Sequence, residues 1–108
     1  VGAGKAAASL ARGVEAVLGS RIHDGLVVVK HGHAELLRHC MVLEAGHPLP
    51  DAASARAAES LLEFVAPASA EDRYLVLLTG GASALLAGPA PGLTLEDKIA
   101  VSRLLVGC

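Results

Sequence analysis

Leu75-Val76-Leu77-Leu78-Thr79-Gly80-Gly81-Ala82-Ser83-Ala84-Leu85 passes from an unbroken apolar run, through a glycine-rich turn, into a helix-forming stretch. An apolar run of strand length without polar alternation marks a strand buried on both faces, and Tyr74 to Leu78 is read as that strand. Gly80 and Gly81 let the backbone turn sharply. Ala84 to Ala87 then reads as a short helix, broken by Pro89, Pro91 and Gly92.

The same succession occurs at the start of the chain. Val1 to Gly4 reads as the end of a strand and a glycine-rich turn, and Lys5 to Leu18 as a helix. Leu10, Val14, Val17 and Leu18 fall on one face, Ala6 and Ala7 continue that stripe, and Gly19 ends it. Between these units, Leu26 to Val29 is a β-branched run of the fully buried type, and Met41 to Leu43 is a second short strand. Gly46-His47-Pro48-Leu49-Pro50-Asp51 is a rigid loop, because its two prolines forbid regular pairing. Asp51 stands where it would cap the next helix. That helix is read over Ala52 to Val65, with Ala57, Ala58, Leu61, Leu62 and Val65 on its apolar stripe and Pro67 closing it. Thr94-Leu95-Glu96-Asp97 fits a capping box that opens a last helix.

Apolar strands alternating with helices specify an α/β fold: a mostly parallel sheet with helices on both faces, Rossmann-like and three-layered. One connection is awkward. About ten residues separate the Leu26 and Met41 strands, short for a helical crossover, so their relative direction stays open.

At 108 residues the chain is the size of one domain. It begins at Val1 without an initiator Met and ends inside a helical pattern. Residues 1–108 are therefore read as an internal fragment of one α/β domain, truncated at both ends, and as less stable alone than its parent. Aromatic residues are 2% of the chain, Phe64 and Tyr74, so the core must be built from the Ala, Val and Leu that dominate its 53% apolar content. Despite a mean hydropathy of +0.53, no apolar run approaches the ~18–20 residues of a membrane span. The net charge is −2 and no Lys/Arg cluster exists, which argues against nucleic acid or a membrane surface as partner. Cys40 and Cys108 share no motif and read as reduced thiols of a cytoplasmic protein.

Three constellations bear on chemistry. In Val1-Gly2-Ala3-Gly4-Lys5-Ala6-Ala7, a helix N-terminus and the Lys5 charge suit an anion, held near Gly2 and Gly4. The alternative is that the glycines only make a tight turn. The pattern is no Walker A loop, since Ala6 stands where Ser or Thr would hold magnesium. It does match the Gly-x-Gly-x-x-Ala variant of the dinucleotide fingerprint, but the following strand ends at Lys30, where a ribose-binding acid would stand. In the second turn, Gly80, Gly81 and Ala82 leave amides free of bulky side chains, and the Ser83 hydroxyl can donate to a phosphate or carboxylate. Ligands of open parallel sheets bind at the carboxyl ends of strands, so both turns fall on one edge if their strands are parallel. Gly81-Ala82-Ser83-Ala84 is also a near miss to a nucleophile elbow, with Leu85 at the second glycine position. Third, His31-Gly32-His33, His39 and His47 lack the carboxylate or Cys that would complete a metal ligand set, and no metal site is assigned. His47 either lines the cleft and hydrogen-bonds a substrate or braces its loop.

Gly2-Ala3-Gly4-Lys5-Ala6-Ala7, Val28-Val29-Lys30-His31-Gly32-His33, Glu44-Ala45-Gly46-His47-Pro48-Leu49-Pro50-Asp51, Leu78-Thr79-Gly80-Gly81-Ala82-Ser83-Ala84-Leu85 and Leu93-Thr94-Leu95-Glu96-Asp97-Lys98 occur in this order and spacing. Together they resemble the N-terminal domain of the glycerate 2-kinases, some of which are labelled hydroxypyruvate reductases. The resemblance covers nearly the whole chain. It implies a two-domain α/β kinase with its active site between the domains, transferring a phosphoryl group from ATP, with Mg2+, to glycerate. It implies that Lys5 matches the family's functional lysine and that Gly80 to Ser83 matches its phosphate- or substrate-binding loop. Ala82 departs from the family, which often has a third glycine there. The other label implies an NAD(P)H-dependent hydroxypyruvate reductase as the alternative, and the near-miss elbow implies a serine hydrolase.

Overall fold

The computed structural model describes all residues, 1–108. In chain order the elements are β1 (Gly2–Ala3), α1 (Ala7–Leu18), a 3₁₀ turn (Gly19–Arg21), β2 (Gly25–Lys30), β3 (Cys40–Ala45), α2 (Ala52–Val65), β4 (Leu77–Leu78), α3 (Ala82–Leu85) and α4 (Leu95–Val106). The four strands form one sheet in the order β3-β2-β1-β4. Every pairing is parallel, with Gly2 opposite Val27 and Leu77, and Gly25 opposite Cys40.

Strand alternation divides the core into two layers. Val27 and Val29 point to one face and pack against Ala7, Ala8 and Ala11 of α1. Val28 points to the other and packs with Ala3, Ala45, Ala57 of α2 and Leu85 of α3. The helices thus cover both faces. No helix is long and apolar enough to cross a membrane.

The direction of β3 has a physical explanation. β2 is six residues long, ~20 Å at the usual strand rise. The stretch from His31 to His39 contains no helix, and nine extended residues reach ~30 Å, enough to run back beside the sheet. Side chains of α1 pin this stretch. The Glu15 carboxylate accepts from the amides of Arg38 (2.9 Å), His39 (2.7 Å) and Cys40 (3.1 Å). Glu35 accepts from Ser9 Oγ at 2.6 Å and pairs with Arg12 at 2.8 Å. Those three amide bonds hold the Glu15 carboxyl below its usual range, although desolvation pushes the other way.

Four expectations need correction. The stretch from Tyr74 is not a buried strand. Only Leu77 and Leu78 pair, and Tyr74, Leu75, Val76 and Leu78 are exposed, because β4 is an edge strand whose partner β1 is just two residues long. The buried face of α1 is Ala7, Ala8 and Ala11, whereas Leu10 and Val17 are 45% and 75% exposed. In α2 the buried residues are Ser54, Ala57 and Ala58, and Leu62 is exposed. In both helices methyl-sized side chains face the sheet and let the helix axis come close, so the larger residues of the same stripe lie at its margin. Finally, α3 spans Ala82–Leu85 rather than Ala84 to Ala87, since Gly81 in the left-handed region (φ 94°) starts the helix earlier.

α2 ends where the sequence places it. Asp51 accepts from the Ser54 amide at 2.9 Å, and Ser54 Oγ accepts from the Asp51 amide at 3.1 Å, a reciprocal capping box. Thr94 and Asp97 form the same device at the start of α4.

Candidate functional site

Because all four strands are parallel, their carboxyl ends lie on one edge. β1 delivers Lys5 there, β2 delivers Lys30 and His33, β3 delivers His47, and β4 delivers Gly80 to Ser83. The two glycine-rich turns touch directly. The Lys5 amide donates to Gly80 O at 2.9 Å, the Ala6 amide to Thr79 Oγ1 at 3.1 Å, and the Thr79 amide to Ala3 O at 3.0 Å.

Close packing constrains the glycines of the first turn. Gly4 (φ 134°) lies against Thr79, and a Cβ there would fall 2.6 Å from the Thr79 carbonyl oxygen. Gly2 is buried in β1, where a Cβ would meet Leu77 O at 3.1 Å. Gly4 thus lets the two turns meet, and Gly2 lets β1 and β4 lie close. The amides of Lys5 and Ala6, which a dinucleotide pyrophosphate would need at a helix N-terminus, are occupied by the neighbouring loop.

The side chains of the edge remain accessible. Lys5 is exposed, and its stem passes over the second turn, with Cε 3.7 Å and Cγ 3.5 Å from where Cβ atoms on Gly80 and Gly81 would stand. The His47 ring presses on Gly81: a Cβ there would lie 2.6 Å from His47 Cδ2 and 2.8 Å from Nε2. Lys5, Gly80, Gly81 and His47 are thus one cluster, and Ser83 is exposed in the first turn of α3 beside it. Ala82 is the first residue of that helix, partly buried against the core that contains Leu85.

Desolvation lowers the pKa of His47, and the neighbouring charges of Lys5, Lys30 and His33 lower it further. Two carboxylates on the same side are hydrogen-bonded within the fold. Asp51 accepts from His31 Nε2 at 2.8 Å, from the Gly46 amide at 3.1 Å and from Ser54. Desolvation alone would raise its pKa, but these bonds outweigh it and bring the carboxyl down to about 2. Glu44 accepts from the Gly32 amide at 2.6 Å. No group of three or more His, Cys, Asp or Glu is placed to hold a metal ion. The Lys5 ammonium has no carboxylate within ion-pair distance.

The near-miss nucleophile elbow is not built. Only glycines have positive φ in this chain, so Ser83 does not stand on the strained turn such a nucleophile needs, and Leu85 is fully buried. Sequence reasoning missed that Lys30 and His33 come to this edge. Their signal was the parallel sheet itself, which sends the end of β2 to the same edge.

A family model described as Domain of unknown function (DUF4147) matches residues 1–108, the entire chain. The chain belongs to the DUF4147 family. This domain is the N-terminal domain of the glycerate kinases. The glycerate 2-kinase of Pyrococcus horikoshii is 39% identical over 103 residues, covering 95% of this chain and 23% of that protein. An Agrobacterium vitis protein under the provisional name hydroxypyruvate reductase is 41% identical over 106 residues, covering 98% of this chain and 24% of the relative. The crystal structure of glycerate kinase from Thermotoga maritima superposes with a TM-score of 0.89 at 36% identity, over 98% of this chain and 26% of that one. This DUF4147 chain thus spans about a quarter of the length of the relatives it matches.

Proposed function

We propose that this domain forms one wall of the active site of a two-domain, ATP-dependent glycerate 2-kinase, with Lys5 as its catalytic cation. The observation that carries the reading is the Lys5 side chain lying over the Gly80–Gly81 turn at the carboxyl edge of a parallel sheet. The names of the Pyrococcus and Thermotoga relatives supply the reaction class. In the transfer, a hydroxyl oxygen of glycerate bonds to the γ-phosphorus of ATP and releases its proton to solvent, while the bond from that phosphorus to the β,γ-bridging oxygen breaks and ADP leaves with that oxygen. Such a reaction needs charge neutralisation and alignment more than covalent help from the protein. Lys5 neutralises charge on the transferring group or holds the glycerate carboxylate. Ser83 and the amides of the Gly80 to Ser83 loop donate to anionic oxygens, and His47, packed on Gly81, fixes that loop. Gly2 and Gly4 act indirectly, by seating the first turn. Magnesium accompanies ATP mainly through the nucleotide's own phosphates.

The reductase reading gains nothing from the first turn, whose Lys5 and Ala6 amides already have partners. The test is made on the full-length protein that carries this domain. Glycerate-dependent release of ADP from ATP is expected, and the 108-residue chain alone is expected to give no turnover. Oxidation of NADH by hydroxypyruvate without any ADP release would replace the kinase with a reductase.

A further inference from the structure

The His31-Gly32-His33 turn that follows β2 is fastened to the end of β3 and to the loop that carries His47. The His31 amide donates to Ala45 O at 3.1 Å, and the Gly32 amide to Glu44 at 2.6 Å. The His31 ring reaches further, with Nε2 2.8 Å from Asp51 Oδ2. The Asp51 carboxyl, brought down to about 2, is ionised at neutral pH and can only accept, so His31 Nε2 carries the hydrogen.

The two oxygens of Asp51 have different partners. Oδ1 accepts from the Ser54 amide, from Ser54 Oγ and from the Gly46 amide. It alone therefore caps α2 and grips the residue before His47. Oδ2 has His31 as its hydrogen-bond partner. Capping does not need that bond. Stability needs it little, because the pair is exposed, 58% at His31 and 43% at Asp51, and exposed pairs contribute weakly. What the bond does is fix the plane of the carboxylate, which cannot swing once both oxygens are held. Gly46 packs closely on that carboxylate: a Cβ there would stand 2.7 Å from Asp51 Cγ and 2.9 Å from Oδ2. Gly46 leads directly to His47, whose ring packs on Gly81, and the Lys5 stem lies over the same turn.

We propose that His31 is a positioning residue of this edge: by holding Asp51 Oδ2 it sets Gly46, and through Gly46 the place of the His47 ring on the Gly80–Gly81 turn. The kinetic part of the test rests on the reading of that turn as part of a kinase site, and the structural part does not.

The experiment uses the full-length protein and three single variants. His31→Leu removes the donor. Asp51→Asn keeps a good cap, with its carbonyl oxygen toward Gly46 and Ser54, and removes the acceptor for His31. His31→Gln carries an amide N–H that reaches Asp51 in place of Nε2. In His31→Leu, kcat for glycerate-dependent ADP release is expected to fall about 10-fold, below the ~100-fold that a 1 Å misplacement can cost. KM should stay within about twofold, the pattern of an interaction that acts only in the transition state. Asp51→Asn should lose as much, the double variant no more than either single one, and His31→Gln should stay near wild type. Unchanged kcat in His31→Leu overturns the proposal. So does a double variant whose loss is the product of the single losses, because His31 would then act independently of Asp51. A rise in KM alone overturns it too, since His31 would then hold ligand directly.

NMR of the His47 ring and the Gly81 amide reads the same effect without turnover. Both resonances are expected to move in His31→Leu and to return in His31→Gln, which also lacks the ring, so a ring-current effect is excluded. Resonances that stay in place in His31→Leu defeat the proposal whether or not the protein is a kinase. Absence of ADP release by the wild type would remove the functional reading, and the NMR comparison would still decide this inference.

Discussion

Replacing Gly81 by Ala strikes the contact that joins the second turn to His47. Gly81 has φ 94° and ψ −4°, and the added Cβ would stand 2.6 Å from His47 Cδ2, 2.8 Å from His47 Nε2 and 3.5 Å from Lys5 Cγ. Two costs combine. A non-glycine residue in the left-handed region loses ~1–2 kcal/mol, and forcing a methyl group against a packed ring costs a further ~1–3 kcal/mol. The expected destabilisation is thus about 2–5 kcal/mol, read as a lower urea midpoint at unchanged slope. A double-mutant cycle separates the two terms. In a His47→Ala background the ring is gone and only the backbone term remains, so Gly81→Ala should cost about 1–2 kcal/mol there. An equal cost in both backgrounds would refute the contact, and a cost below about 0.5 kcal/mol with His47 present would refute the loop geometry as a whole.

Other perturbations test the scaffold. Glu15→Ala leaves the amides of Arg38, His39 and Cys40 without their acceptor. It should cost about 1–3 kcal/mol and speed hydrogen exchange at those three amides, with Glu15→Gln intermediate. Asp51→Asn should flatten the acid limb of stability. The Asp51 carboxyl falls from 3.8 to about 2 on folding, so its contribution is present above about pH 4 and is lost as pH drops toward 2. Wild type should lose stability across that window more steeply than the variant. Thr79→Val removes the acceptor of the Ala6 amide and should cost about 1 kcal/mol, with Thr79→Ser close to wild type, both read from thermal unfolding.

What the sequence made legible follows from where local physics decides the structure. The apolar run from Leu26 to Val29 lies in β2, and the Asp51 cap and Pro67 bracket α2 as observed. The coincidence of the two glycine-rich turns followed from a parallel sheet, and direct hydrogen bonds now join them. Features decided by tertiary packing were not legible. Hydropathy ranks Leu10 and Val17 above Ala7 and Ala8, yet the close approach of α1 to the sheet selects the alanines. The parallel return to β3 rests on Glu15, a residue whose pattern shows only a solvent-facing charge until its three amide partners are seen. Lys30 reads from sequence as a strand end lacking a ribose-binding acid. That it ends on the same edge as the other strands follows from the parallel sheet, which no local pattern encodes.

The account stands on an ammonium group that meets developing negative charge at the edge of the sheet, and the kinetics of Lys5→Ala in the full-length protein measure this most directly. A fall in kcat/KM for glycerate-dependent ADP release of about 10²–10³-fold, with thermal stability retained, is the predicted result. Turnover within about twofold of wild type would contradict it.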